Sequence, residues 1–106
     1  MKKNIKFSDA DFREVCGTSS HMGYVKATAY EIAKVLGNPR EDWNEKTTYE
    51  WQKKFGSVVF TIYDYCEPVP PRKYHLVEYH IGTKRPEDTV LIVELLKGFG
   101  FDAYMS

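Results

Sequence analysis

The sequence predicts an α+β fold: a twisted antiparallel β-sheet of about four to five strands with two helices packed on one face. Residues 49–65 carry most of the apolar strand pattern, interrupted by a Gly-Ser pair that suits a hairpin turn. Residues 28–37 and 86–98 each begin and end with residues typical of helix termini. A chain of 106 residues is near the commonest domain size. We therefore expect one globular domain over residues 1–106.

The composition excludes several classes of function. Fifteen acidic and fifteen basic side chains balance, so we expect no binding of DNA or RNA duplexes. The sequence has neither a signal peptide nor an apolar run near the roughly 20 residues of a spanning helix, which predicts a cytoplasmic protein without membrane contact. Cys16 and Cys66 have no metal-site spacing and are expected to be reduced thiols. No metal or cofactor is predicted.

The N-terminal part of the chain gives weaker strand signals. Short apolar alternations within residues 5–15 predict one edge strand or two. Residues 17–23, GTSSHMG, contain two glycines and several short polar side chains, a composition typical of a turn. Residues 24–27 are expected to be extended and to lead into the first helix.

The first helix has the clearest boundaries in the chain. Thr28 and Glu31 fit a capping box, in which the threonine oxygen accepts an early helix N–H and the glutamate reaches back three residues. Apolar residues follow at helical spacing. Gly37 stands where a C-terminal cap belongs, and Pro39 prevents continuation. A polar loop with Trp43 as its anchor is expected to follow over residues 38–48.

The second half of the chain contains the central strands. Residues 58–65 have no polar alternation before Asp64, which predicts a central strand covered on both faces. Residues 66–73, CEPVPPRK, read as an exposed connector or as a proline-rich recognition segment. Residues 75–82 predict a third strand, and residues 99–104 either a last edge strand or a subunit-packing segment.

No catalytic set is evident. The chain has no G-x-S-x-G, no Walker-type phosphate loop and no G-x-G-x-x-G. His75 and His80 are five residues apart on one predicted strand, so they point to opposite faces. His80 and Asp64 could form an acid–base pair if their strands are adjacent. The alternative is a histidine that satisfies polar groups beside the sheet.

Stacking and hydrogen-bonding groups give the stronger functional signal. Small polar residues between Gly17 and Gly23 could hold a phosphate, and Lys84 and Arg85 precede a helix N-terminus, where anions bind. The aromatic residues that could stack on a base are Tyr24, Trp51, Tyr63, Tyr65 and Tyr79. The alternative is that these rings only fill the core. The predicted ligand-binding residues are Thr18, Ser19, His21, Tyr24, Tyr65, His80 and Arg85.

Four segments resemble a family of small bacteriophage proteins. They are GTSSHMGYVKATAYEIAKVLGNP at 17–39, KTTYEW at 46–51, VFTIYDY at 59–65 and YHIG at 79–82. The family pattern is a G-T-S…G-Y segment, a helix ending in F/L-G-x-P, an E-W strand, a T-I-Y-D-Y strand and W-H-I-G-G. Tyr79 replaces the tryptophan of this pattern, and the second glycine is replaced by the threonine that follows.

The resemblance implies a role in phage immune evasion. One class of small phage proteins that this chain resembles in size and aromatic content acts as sponges: they oligomerise, then bind and sequester a cyclic nucleotide defence signal without cleaving it. It thus implies a non-enzymatic homo-oligomer in the cytoplasm of an infected bacterium. The second hypothesis is an inhibitor of the anti-CRISPR or anti-restriction type, which binds a host defence protein through the 66–73 connector and the C-terminal tail. The third is a small hydrolase that uses His80 and Asp64.

Overall fold

The computed structural model describes residues 7–41, 48–65, 67 and 72–106. The helices in this part of the chain are α1 (Phe12–Val15), α2 (Ala29–Leu36) and α3 (Pro86–Gly98). The strands are β1 (Ser8–Asp9), β2 (Ser19–Ala27), β3 (Arg40–Glu41), β4 (Tyr49–Phe55), β5 (Val58–Tyr63), β6 (Val77–Thr83) and β7 (Asp102–Met105).

All the strands belong to one antiparallel sheet. Its order is β1-β4-β5-β6-β2-β7, and β3 also pairs with β4. The predicted α+β class with an antiparallel sheet is confirmed. The described residues form seven strands and three helices, rather than four to five strands and two helices. The additional elements are short, since β1 and β3 have two residues each and α1 has four.

The predicted hairpin lies at the centre of this sheet. Phe55 of β4 pairs with Val58 of β5, and the Gly-Ser pair between them forms the turn. Gly56 has a φ of 59°, a left-handed conformation that a residue with a Cβ adopts at a cost. The hairpin therefore depends on the turn chemistry that its sequence predicts.

Strand alternation divides the sheet into two faces. The first, which we call the covered face, packs against α2 and α3. Its buried strand residues are Val25, Ala27, Trp51, Phe60, Ile62, Val77, Tyr79, Ile81 and Ala103. Ile32 of α2 and Ile92 and Leu96 of α3 belong to the same cluster. Both long helices thus cover one side of the sheet, as predicted.

The opposite side, which we call the second face, carries the alternating residues of the same strands. Glu14 of α1 pairs with Lys54, which has the strand parity of this face, so α1 lies at one end of it. Thr61 is buried beside that end. Neither α2 nor α3 lies over the second face, and its residues Tyr24, His80 and Tyr63 are only half-buried.

The boundaries of α2 follow the predicted chemistry. Thr28 accepts a hydrogen bond from the Glu31 N–H at 3.1 Å, and the Glu31 carboxylate accepts one from the Thr28 N–H at 3.0 Å. Gly37 ends the helix with a φ of 86°. Its carbonyl oxygen accepts a hydrogen bond from the Trp51 indole at 2.8 Å, which attaches the end of the helix to the sheet.

Helix α3 approaches the sheet closely at a glycine of β2. A Cβ on Gly23 would lie 2.3 Å from Thr89 Cγ2, so only glycine fits without displacing the helix. The Thr89 hydroxyl is 2.6 Å from the Thr83 hydroxyl, which donates to the Arg85 carbonyl oxygen at 2.8 Å. These contacts fix the start of α3 against the ends of β2 and β6.

Two sequence predictions are wrong near the N-terminus. Residues 12–15 form a helix and not a strand, because Asp11 and Glu14 make a reciprocal capping box. Residues 17–23 are not a turn throughout, since β2 begins at Ser19 and pairs with β6. The cross-strand ladder outweighs the turn preference of the short polar side chains. Ile5, Trp43, Cys66 and most of the proline-containing connector lie outside the described residues.

Among the described helices, none has the length and apolar character required to cross a membrane.

Candidate functional site: an aromatic row on the open sheet face

The second face carries one continuous row of side chains across six strands. Cross-strand pairing aligns Tyr104 with Tyr24, Tyr24 with His80, His80 with Tyr63, Tyr63 with Glu50, and Glu50 with Arg40. We call Tyr104, Tyr24, His80 and Tyr63 the aromatic row, and Arg40, Glu50 and the neighbouring Gln52 its polar end. The row crosses the sheet at right angles to the strands.

Neighbouring rings in the row are in contact. The Tyr63 and His80 rings are stacked, with centroids 5.5 Å apart and an interplanar angle of 21°. Tyr24 meets His80 edge-on at 5.0 Å, and its ring lies 5.7 Å from that of Tyr104 with a tilt of 31°. Tyr65, just beyond β5, adds edge contacts to His80 at 5.7 Å and Tyr63 at 6.4 Å. His80 is therefore the centre of a cluster of four tyrosines.

A β-bulge brings Tyr24 into the row. Ser20 pairs with Gly82 and Gly23 with Ile81, so His21 and Met22 are inserted without partners in β6. Met22 has a φ of 68°, which is unusual for a residue with a side chain. Bulges re-aim the side chains that follow them. The bulge thus makes Tyr24 the residue of β2 that stands opposite His80.

The environment of the row affects the protonation of its polar atoms. Burial lowers the pKa of His80, although Glu78 and Glu67 act in the opposite direction. His80 is therefore neutral at pH 7 and keeps both a donor and an acceptor nitrogen. Burial, with the charge of Glu50 as a second cause, raises the pKa of Tyr63, so its hydroxyl keeps its proton. His80 and Tyr63 are therefore both uncharged at pH 7.

A glycine gives the Tyr63 ring its space. A Cβ on Gly82 would lie 2.5 Å from Thr61 Oγ1 and 3.4 Å from Tyr63 Cε1. Because Gly82 pairs with both Ser20 and Thr61, it occupies the centre of the sheet beside the row. A larger residue here would displace the Tyr63 ring.

The polar end contains a directed chain of hydrogen bonds. Arg40 Nη1 donates to Gln52 Oε1 at 3.0 Å, and Gln52 Nε2 donates to Glu50 Oε2 at 3.0 Å. All three residues also border a recess of about 280 Å³ along β4. The Glu50 carboxylate is thus oriented beside the Tyr63 ring and next to open space.

Charged residues flank the other end of the row. Lys26 pairs across the strands with Glu78 on one side and Asp102 on the other. Its ammonium group lies 6.0 Å from the centroid of the Tyr104 ring, within reach of a weak cation–π interaction. The row therefore has a basic group near one end and a carboxylate near the other.

The structure brings together three of the predicted ligand-binding residues. Tyr24 and His80 lie in the aromatic row, and the exposed Tyr65 contacts His80. Their proximity depends on the pairing of β2, β5 and β6. A single planar ligand on the second face could contact all three.

The other predicted ligand-binding residues lie towards one end of the sheet. The Thr18 hydroxyl donates to the Val15 carbonyl at 2.8 Å, and the Ser19 hydroxyl lies 3.4 Å from His21 Nε2. Ser19 pairs with Thr83 near the start of α3. Within residues 17–23, Ser19, Ser20 and Gly23 pair with β6, so the segment is not the single anion-binding loop that the sequence predicts.

Arg85 is exposed at the N-terminal cap of α3. Its guanidinium lies 3.3 Å from the Asp88 carboxylate, which raises the pKa of Arg85. Arg85 follows the end of β6, whereas His80 is near the middle of that strand. It therefore belongs to the end of the sheet near Ser19 and not to the aromatic row.

Two aromatic residues named as stacking candidates belong to the core. Trp51 is 1% exposed and Tyr79 is fully buried, both on the covered face. Burial raises the pKa of Tyr79 above its ordinary value. These rings pack edge to face at 5.6 Å and are not accessible to a base.

The pairing of His80 with Asp64 is wrong. Tyr63 is aligned with His80, so Asp64, the next residue, points to the opposite face. Its carboxylate accepts hydrogen bonds from the backbone N–H groups of Thr48 at 2.9 Å and Tyr49 at 2.7 Å. Asp64 thus has a structural role, and the proposed acid–base pair does not form.

The predicted ligand set omitted Tyr63, Tyr104 and Glu50. Tyr63 and Tyr65 alternate in the sequence YDY, which already indicates that they share a face. The predicted two-residue turn at 56–57 already implies that Glu50 pairs with Tyr63, whereas no sequence signal places Tyr104 beside Tyr24, because that pairing depends on strand order.

Among the described residues, no group of three or more His, Cys, Asp or Glu side chains could hold a metal ion. Comparison of the chain with protein-family models, with curated protein sequences and with solved structures finds no match.

Proposed function

We propose that this protein binds a nucleobase-containing ligand on the aromatic row and sequesters it without cleaving it. The observation that carries the proposal is the contact of three tyrosines with His80, and of a fourth with Tyr24, on a sheet face that α2 and α3 leave uncovered. Sheet-borne aromatic side chains are a common platform for bases, because every base offers a π face. Stacking contributes about 1–3 kcal/mol per base in such sites.

The proposed ligand class is a cyclic oligonucleotide that acts as a signal in anti-phage defence. The stacking groups, and a likeness in size and aromatic content to phage proteins that sequester such signals, motivate this class. Lys26 beside the row and Arg85 at the end of the sheet are cations that could contact phosphates of such a ligand. The function would then be immune evasion in the cytoplasm of an infected bacterium.

Sequestration rather than turnover is favoured by the composition of the row. The ring neighbours of His80 are tyrosines, and Asp64, its predicted acid–base partner, lies on the opposite face. A neutral imidazole between tyrosine rings suits stacking and hydrogen bonding to a base.

The proposal includes a homo-oligomer. An open sheet face contacts only one side of a planar ligand, and a second copy would supply the opposing wall. Light scattering during gel filtration, with and without ligand, would test this part. A monomer in both conditions would contradict it.

The test of the function is a retention assay. The purified protein is incubated with cyclic di- and trinucleotides containing adenine, guanine or uracil, and free nucleotide is measured after filtration. Heat denaturation then shows whether the retained nucleotide is released intact. Intact release supports sequestration; a linear product would establish an enzyme; absence of retention would contradict the nucleotide proposal.

Single alanine substitutions, measured in the same retention assay, test which residues form the site. We expect His80→Ala and Tyr65→Ala to lose retention, and Arg85→Ala to weaken it less. Tyr74→Ala is the matched control, because Tyr74 is also an exposed tyrosine but lies against Tyr30 of α2. Equal loss of retention in Tyr74→Ala would contradict the assignment to the aromatic row.

A second surface favours the alternative function, direct inhibition of a host defence protein. Tyr74 and Leu76 are 67% and 72% exposed. Lys34 lies 4.4 Å from the centroid of the Tyr30 ring, and Lys73 lies 5.4 Å from it. A basic, aromatic surface of this kind would suit an acidic partner protein. A stable complex that is lost in Tyr74→Ala but kept in His80→Ala would support inhibition over sequestration.

A further inference from the structure

Glu50 is the residue of the polar end that lies next to the stacking rings. It pairs directly with Tyr63 across β4 and β5, so its side chain leaves the sheet on the same face. It is half-buried, and its charge contributes to the raised pKa of Tyr63, which reflects their closeness. A base stacked over Tyr63 would therefore lie next to the Glu50 carboxylate.

The hydrogen bonds at the polar end determine which oxygen of the Glu50 carboxylate can accept a hydrogen bond from a ligand. A guanidinium has only donors, so the Gln52 oxygen must face Arg40 and its NH₂ group must face Glu50. Glu50 Oε2 accepts that bond. Among the described residues, no hydrogen bond reaches Glu50 Oε1, which stays available as an acceptor next to Oε2.

A fixed pair of acceptors discriminates between bases. Guanine carries two adjacent donors on its Watson–Crick edge, N1–H and the N2 amino group, which match the two oxygens of a carboxylate. Adenine offers one donor beside an acceptor nitrogen, so one of its contacts with a carboxylate is repulsive. Uracil offers a single donor between two acceptors. Only guanine satisfies both carboxylate oxygens at once.

We infer that Glu50 is a specificity-determining residue that selects guanine over adenine at the aromatic row, and that Gln52 and Arg40 hold it in position. This inference rests on the proposed function and deepens it, because it names the base that the site accepts. The ligand class becomes a cyclic oligonucleotide with at least one guanine.

The test compares two probes that differ only in their bases. Cyclic diguanylate and cyclic diadenylate are titrated calorimetrically into the wild type, Glu50→Gln and the control Glu78→Gln. Glu78 is a carboxylate on the same face that pairs with Lys26 and lies away from the polar end. We expect the wild type and Glu78→Gln to prefer the guanine probe by on the order of tenfold or more. Glu50→Gln should lose that preference through weaker guanine binding.

Arg40→Met provides a second test that leaves the carboxylate in place. Without the guanidinium, the Gln52 side chain loses one of its two hydrogen-bond partners and holds the Glu50 carboxylate less firmly, so we expect a smaller loss of the guanine preference. Circular dichroism establishes that each variant is folded before titration.

The outcomes separate this inference from the function on which it rests. Equal affinity for the two probes, a preference for adenine, or an unchanged preference in Glu50→Gln would overturn the role of Glu50 and leave nucleotide binding intact. Failure of both probes to bind the wild type would overturn both.

Discussion

The two faces of the sheet use aromatic residues in different ways. On the covered face, Trp51 and Tyr79 pack edge to face beneath the helices and are almost fully buried. On the second face, Tyr24, His80 and Tyr63 make similar ring contacts but remain half-exposed. Ring contacts alone therefore do not distinguish core from site. What distinguishes them is whether a helix covers the strand face on which they lie.

The largest difference between the faces should appear in stability. Trp51→Ala removes a buried indole and its hydrogen bond to Gly37, and we expect it to lower the free energy of unfolding by about 3–5 kcal/mol. Tyr24→Ala, on the second face, should cost about 1 kcal/mol, because it loses only edge contacts between rings. Urea denaturation measures both. Equal losses would show that the second face is also part of the core.

Two glycine substitutions provide a second comparison of the two faces of the sheet. Gly23→Ala places a Cβ against Thr89 on the covered face, and we expect it to displace α3 at a cost of about 1–3 kcal/mol. Gly82→Ala places a Cβ against Thr61 and Tyr63 on the second face, so it should also weaken nucleotide retention. Thermal unfolding and the retention assay are compared for the two variants. Retention that falls only in Gly23→Ala would contradict the assignment of the site to the second face.

Asp64 and His80 give a further comparison, since they lie one strand apart on opposite faces. Asp64→Ala leaves the Thr48 and Tyr49 amides without their acceptor, and we expect a loss of about 1–3 kcal/mol. Asp64→Asn should lose less because it keeps one oxygen. His80→Ala should reduce ligand retention with a smaller change in stability. Chemical denaturation of the three variants checks this order.

The smallest expected effect is a dependence of stability on pH. Because burial lowers the pKa of His80 in the folded state, the unfolded state binds a proton first as the pH falls below about 6.5. The contribution of His80 is therefore complete above that pH and is lost as the pH falls towards the lowered pKa. We expect the thermal midpoint of the wild type to fall more between pH 7.5 and 5.5 than that of His80→Gln. An identical fall of the thermal midpoint in both proteins would show that the pKa of His80 is the same in the folded and unfolded states.

The parts of the fold that the sequence predicts are those set by local chemistry. The capping box at Thr28, the helix start at Pro86 and the turn at Gly56 depend on residues close together in the chain. The capping box at Asp11 also depends on residues close together in the chain. The apolar alternation around it nevertheless led to the wrong prediction of a strand. Residues 17–23 were predicted as a turn because a β-bulge is not visible in composition.

The candidate site could be predicted only in part, because it depends on strand order. Tyr24, Tyr65 and His80 were chosen for their ring chemistry, and long-range pairing brings them together. Trp51 and Tyr79 have the same chemistry, yet the position of the helices places them in the core. Glu50 acquires its place beside Tyr63 from the register of β4 with β5. The two-residue hairpin turn sets that register, whereas strand order and helix cover are tertiary properties that residue type does not encode.

The central claim is that the aromatic row binds a base. The most direct measurement is a proton–nitrogen NMR titration of the labelled protein with the cyclic nucleotide that it retains most strongly. We expect the largest shifts at Tyr24, His80 and Tyr63 and at their strand neighbours, with a shift of the His80 ring signals. Shifts confined to α2 and the Tyr74 surface, or no shifts at saturating nucleotide, would contradict the claim.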